Sequence, residues 1–259
     1  MIAHTESRGP SASRNRGVAE TSHPVVAFLD ADDEWMPDHA ERLLDALTED
    51  DVVFAGSDAQ RFGTDSGEIR SQLPGRRPID LSDNLIMDNP VIQSSVMVVR
   101  EAFVKAGGYD ESLRLSEDYE LWTRIAEYGL YAHVGEATVR RRIHAEQVTQ
   151  RFRGDLVRAW WGVRRRVLER RLRNANPAKR DHLLSLLDAA CQADLDWAIW
   201  TGDGAMLALV REELRATDTE LALSDRLTAA SGLRSPSRRL SQDVRCASRS
   251  LLQMVRGNR

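Results

Sequence analysis

The chain has 259 residues, 42% of them hydrophobic and 29% charged, with a formal charge of −4. That composition can bury a core and excludes an intrinsically disordered chain, and the length fits one large domain or one domain with a smaller appendage. The start, Met1 to Arg8, lacks the apolar segment of a secretory signal, and no later run is apolar over the length of a membrane span, so a soluble, cytoplasmic protein is expected. Cys191 and Cys246 stand far apart without a CxxC spacing, which suggests neither a disulfide framework nor a thiolate zinc site.

The charge is unevenly spread. Residues 1–150 hold 27 acidic and 15 basic side chains, whereas residues 151–259 hold 13 and 21. The first stretch also contains the strand-like apolar runs and most of the Gly/Pro punctuation, and the second reads as helix almost throughout. Two unlike parts are expected, 1–150 and 151–259.

In chain order, Val25 to Leu29 is a short continuous apolar run that predicts a buried strand of an α/β sheet. Asp30-Ala31-Asp32-Asp33-Glu34-Trp35-Met36-Pro37 follows, and Pro37 fits the first turn of a helix whose apolar stripe is Leu43, Leu44 and Leu47. The acids then sit beyond a strand's carboxyl end, where open α/β sheets place ligands. Three carboxylates within four residues repel one another unless they are exposed or a cation neutralises them. A hard divalent ion accepts one or two such oxygens and completes its shell with water and phosphate. The alternative is that these acids cap the helix and face water.

Val96 to Val99 predicts a second buried strand, and Gly107-Gly108 a backbone hinge. Ser116 is placed to cap a helix with a core stripe of Leu121, Trp122, Ile125 and Ala126. Glu117 and Asp118 lie in its first turn, where the helix dipole alone would favour acids. A carboxylate at such a position is expected to have a low pKa. Residues 139–142 alternate as a strand does, and His144 follows them as a candidate ligand or a packing residue.

Ser13-Arg14-Asn15-Arg16-Gly17 followed by Phe28-Leu29-Asp30-Ala31-Asp32-Asp33-Glu34-Trp35-Met36-Pro37 resembles the ARNxG and FLDxDDxWxP signature of family 2 glycosyltransferases of the GT-A fold. Gly107-Gly108-Tyr109-Asp110-Glu111, then Glu117-Asp118-Tyr119-Glu120-Leu121-Trp122-Thr123-Arg124, is similar to the family's GG(F/Y)DE loop and ED helix, and the segment through His144 is similar to its RxH ending. These motifs keep order and spacing over about residues 11 to 150.

The resemblance implies inverting transfer of a sugar from a nucleotide-sugar donor to a glycan or other glycoconjugate acceptor, as in cell-surface polysaccharide synthesis. It implies Mg²⁺ or Mn²⁺ held by Asp32, with His144 completing the site and Asp30 assisting. Arg14 and Asn15 fall where the family contacts the nucleotide. Asp118 matches its base, and Glu117 would orient that base or meet the acceptor. The implied fold is an α/β GT-A domain followed by an all-α region. The family's first strand, helix and second strand have no counterpart ahead of Arg14, about 60 residues at the usual size of βα units. An amino-terminally incomplete domain is therefore expected. The rival reading is a noncatalytic remnant that binds a partner or a nucleotide-sugar.

From Asp155 onward the periodicity is helical. Leu156, Trp160, Val163 and Val167 form one stripe, Leu183, Leu184, Leu187, Ala190, Leu195 and Trp197 to Trp200 another, and Met206 to Leu214 a further helix after a break at 202–204. Helices joined by short turns should pack antiparallel. Arg164-Arg165-Arg166 and Arg170-Arg171 could hold a diphosphate, an acidic polymer or a membrane surface by peripheral association. We favour a solvated face paired with the acids of the first part. No motif supports a nucleic-acid partner.

Overall fold

The computed structural model describes residues 6–71, 73, 75, 77–147, 153–201, 204 and 207–212. The expected features at Leu214, in the tail from 235 onward, at Cys246 and at 202–203 lie outside the described residues. Two compact units are present: Met1–Leu85 with Asn89–Arg151, and Ile86–Asp88 with Phe152–Arg259.

The first unit contains a six-stranded mixed sheet. Its strands are β1 (Val25–Ala27), β2 (Glu34–Trp35), β3 (Val52–Gly63), β4 (Gly67–Ile69), β5 (Met97–Val99) and β6 (Leu130–Ile143). Their order is β1-β5-β3-β6-β2, and β4 pairs with β3. The two longest strands, β3 and β6, run parallel from Val52 against Leu130 to Gly63 against Ile143. All other pairs are antiparallel, including Val25 to Ala27 against Val99 to Met97. β1 therefore meets its neighbour in the antiparallel sense, and the pairing runs on as the Phe28 amide donates to the Val96 carbonyl (3.3 Å).

The described helices of this unit are α1 (Gly9–Ala19), α2 (His39–Ala46), α3 (Asn84–Met87, of which Ile86 and Met87 are counted with the second unit), α4 (Arg100–Lys105) and α5 (Glu117–Ile125), with a 3-10 turn at Gln93–Ser95. α2 starts at His39, two residues after Pro37. It lays Leu43 on a cluster of Val52, Ala55, Met97 and Ala132, while Leu44 stays 45% exposed. The buried stripe of α2 is thus narrower than its leucines suggested. A second, aromatic layer joins the motifs: the Phe28 ring meets Phe103, Tyr109 and Trp122, and Phe54 stacks on Trp122 at 6.3 Å. Fully burying rings of this size contributes about 1.5–3 kcal/mol each.

α5 differs from expectation at its start. Ser116 makes no side-chain cap; it is buried, left-handed at φ 60°, and its hydroxyl has no hydrogen-bond partner. A serine in that conformation is strained. The chain turns sharply there and enters the helix with Glu117 and Asp118.

The second unit contains α6 (Arg153–Leu172) and α7 (Pro177–Thr201). The short connection at 173–176 makes them an antiparallel hairpin. Buried on these helices are Trp161, Val163, Val167 and Leu168 of α6 and Leu183, Leu187, Ala190, Cys191 and Trp197 of α7. Trp161, not Trp160, is the wholly buried tryptophan. Within the basic run Arg164 departs from a solvated face, being only 3% exposed, ion-paired with Asp194, donating to the Met87 carbonyl (2.5 Å) and lying 5.1 Å from the Trp161 ring centre, whereas Arg166 is exposed. Among the described residues no helix is long and apolar enough to cross a membrane.

Candidate active site

The acidic turn after β1 is braced on two sides. Ser94, from the 3-10 turn, accepts from the Asp30 amide (3.1 Å) and donates through the same hydroxyl to Asp33 (2.6 Å). Its carbonyl accepts from the Trp35 indole (2.8 Å). On the other side the Arg142 amide donates to Asp33 (2.9 Å), and its guanidinium Nε to the Asp32 carbonyl (3.0 Å). Asp33 is therefore a structural acid, and burial raises its pKa. With Asp33 tied down, Asp30 and Asp32 are left to face other partners.

Asp32 meets His144. The carboxylate Oδ2 and the imidazole Nε2 are 3.1 Å apart, and both side chains are partly exposed. The end of β6 that delivers His144 is fixed by Thr64, whose amide and hydroxyl both donate to the Ile143 carbonyl (2.9 Å each). The carboxylate suits a hard ion such as Mn²⁺ or Mg²⁺ that fills its shell with water and phosphate oxygens, and the imidazole nitrogen is a donor for Mn²⁺ rather than for Mg²⁺. Among the described residues no group of three or more His, Cys, Asp or Glu side chains could hold a metal.

Asp30 meets Arg14. The guanidinium, rooted on α1, donates from Nη2 to Asp30 (2.6 Å) and from Nη1 to Glu117 Oε1 (2.8 Å), residues 16 and 103 positions away. Its carbon lies 5.3 Å from the Tyr109 ring centre. Burial opposes the charge, but Tyr109, Asp30 and Glu117 together raise the pKa further. One cation thus links the acidic turn to the start of α5.

Asp118 stands beside that link. Its Oδ1 accepts from the Tyr119 amide (2.7 Å). Its pKa is pushed up to about 6, first by burial, then by the neighbouring Glu117 and more weakly by Asp30, against the lowering effects of the Tyr119 amide and Arg14. The low pKa expected from the helix dipole is overturned, because desolvation and a like charge next door outweigh half a charge of dipole.

Asn15 is committed to the glycine loop. Its Oδ1 accepts from the Tyr109 amide (2.8 Å) and its Nδ2 donates to the Tyr109 carbonyl (2.9 Å) and to Glu111 (3.1 Å). The loop can come this close only as glycine: at Gly108, φ is +69° and an added Cβ would lie 2.7 Å from Asn15 Oδ1. Sequence reasoning gave no role to Ser94, Asp33 or Tyr109. Asp33 and Tyr109 lay inside recognised motifs, whereas nothing around Ser94 marked it.

The family model described as glycosyl transferase family 2 matches residues 1–105. The succinoglycan biosynthesis protein ExoU of Rhizobium meliloti (strain 1021) is 32% identical over 158 residues, covering 54% of this chain and 46% of that protein. The amylovoran biosynthesis glycosyltransferase AmsE of Erwinia amylovora is 29% identical over 150 residues, covering 55% of this chain and 54% of that protein. The chain spans about half the length of these two relatives. Of solved structures, S. aureus TarS 1-349 in complex with UDP-GlcNAc shares the fold with a TM-score of 0.55 at 14% identity, over 73% of this chain and 54% of that one. Motifs, sheet and relatives agree on a resemblance: the chain is similar to glycosyl transferase family 2 over residues 1–105 and to about half of each of these two relatives, and it has a GT-A-type fold with a helical region after it.

Proposed function

We propose that residues 1–150 form a glycosyltransferase unit that moves a sugar from a nucleotide-sugar donor to an acceptor hydroxyl with inversion, and that 151–259 are a separate helical region. The observation that carries this reading is the Arg14 bridge, which gathers Asp30 and Glu117, and with them Asp118, around one guanidinium. Support for the donor class comes from the fold shared with TarS, a protein whose structure holds UDP-GlcNAc. Support for a polysaccharide or other glycoconjugate product comes from the succinoglycan and amylovoran biosynthesis proteins. We place the reaction in the cytoplasm.

Asp118 is the base. With a pKa of about 6 it is mostly ionised at neutral pH and still a better proton acceptor than an ordinary aspartate. It takes the proton of the acceptor hydroxyl as that oxygen attacks the anomeric carbon, and a single displacement inverts the centre. Glu117 holds Arg14 and keeps negative charge beside the base. Asp32 and His144 would hold Mg²⁺ or Mn²⁺. When bound, the ion supplies charge neutralisation for the departing nucleoside diphosphate.

The test incubates the full chain with a panel of nucleotide-sugars and Mn²⁺ or Mg²⁺, follows nucleoside diphosphate release, and assigns the anomeric configuration of the product by NMR. Turnover with inverted product, lost in Asp118→Asn and in Asp32→Ala, supports the assignment. Turnover unchanged in both variants refutes the residue roles.

A further inference from the structure

Arg14 and Asn15 are adjacent on α1, yet they grip three separate pieces of chain. Asn15 holds both backbone groups of Tyr109, and Arg14 holds Asp30 after β1 and Glu117 at the head of α5. The Arg14 side chain is 17% exposed and the Glu117 side chain 14%. A guanidinium presents its N–H groups in a rigid planar fork and can serve two carboxylates at once, whereas an ammonium on a flexible stem is a single point charge. Asp30 Oδ1 is taken up by this contact. Arg14, which the family resemblance assigns to nucleotide binding, here holds two protein carboxylates.

We propose that Arg14 is a positioning residue, spanning Asp30 and Glu117 so as to fix the spacing between the two acidic motifs and the charge that faces Asp118. This rests on the reading of Asp118 as the base. The charged groups around Asp118 are Glu117 on its own helix, Arg14 on α1 and Asp30 on the turn after β1, with the Tyr109 phenol nearby. Arg14 opposes the two carboxylates. Deleting the cation and deleting a carboxylate should therefore move the Asp118 midpoint in opposite directions, which a role in packing alone would not do.

The experiment follows the carboxyl carbon of Asp118 by NMR in the full chain, labelled at aspartate and titrated without donor or metal; Asp118→Asn assigns the signal. Arg14→Gln should move the midpoint up from about 6 and Glu117→Gln should move it down, each by about one pH unit. Arg14→Lys, which keeps the charge but not the fork, should leave the midpoint between wild type and Arg14→Gln and restore little transfer activity. Thermal denaturation checks that each variant folds, and Glu117→Gln with Arg14→Lys carry the test if Arg14→Gln does not. Midpoints that stay at the wild-type value, or that move in the same direction in the Gln variants, overturn the proposal. Opposite movements in a chain that transfers no sugar keep the positioning role and reject the transferase reading, because the titration needs no donor.

Discussion

Replacing Asp118 by Asn should make the protein more stable at neutral pH while abolishing its chemistry. The amide keeps an oxygen to accept from the Tyr119 amide at the 2.7 Å contact, so the helix start is preserved. What disappears is the cost of holding a carboxylate beside Glu117 in a partly dry site. A rise from 3.8 to about 6 at about 1.4 kcal/mol for each pH unit sets a ceiling of about 3 kcal/mol. Partial exposure and sharing of the charge with Glu117 bring the expectation to about 1–2 kcal/mol. The folded-state pKa lies above the unfolded one, so the native chain binds the proton more tightly. Wild type is then fully comparable with the variant below about pH 4 and loses stability relative to it as pH rises through 6. Thermal denaturation at pH 4, 5, 6 and 7.5 measures this, with a gain for Asp118→Asn of about 2–6 °C at pH 7.5 and none at pH 4. A variant less stable than wild type at pH 7.5, or a difference that does not change with pH, would mean that Asp118 is not held as a destabilising carboxylate.

Three further outcomes are expected. Mn²⁺ binding followed by electron paramagnetic resonance should be lost in Asp32→Ala and in His144→Ala, with melting temperatures unchanged, since both side chains are partly exposed. Ser116→Gly should stabilise the chain by about 0.5–1 kcal/mol in urea denaturation, because glycine adopts φ 60° without the penalty that serine carries. Arg164→Met should destabilise the helical unit by about 3 kcal/mol, read from tryptophan fluorescence in urea, because it strands Asp194 beside a buried site.

The parts of the fold with strong local signals were legible beforehand. The apolar run at β5, the stripe of α5 and the helical hairpin follow from periodicity and from punctuation at Gly107 and Gly108, whereas the run at Val25 to Leu29 gives a strand only over Val25–Ala27, with Val26 its one buried residue and Leu29 45% exposed. The acids at 30–33 stood out because like charges crowded into four residues need partners, and Asp30 meets Arg14, Asp32 meets His144 and Asp33 meets Ser94. β3 was not: Val52 to Gly63 mixes apolar, small and polar residues, and its strand state is imposed by pairing with β6 across some 80 residues. Ser116 was misjudged because a capping residue type and a left-handed one look alike until the backbone is seen. The raised pKa of Asp118 is hidden from the sequence for a related reason. A helix-start argument sees only the local dipole, whereas burial and Glu117 act through tertiary structure. The tie between Arg14 and residues as distant as Glu117 could not be read from spacing at all.

The most direct test is a crystal structure of the chain with Mn²⁺ and a nucleotide-sugar. The diphosphate is expected at Asp32 and His144 and the anomeric carbon on the side open to the Asp118 carboxylate, with Arg14 still joining Asp30 to Glu117. A donor bound with its sugar turned away from Asp118, or one that displaces Arg14 from both carboxylates, would contradict it.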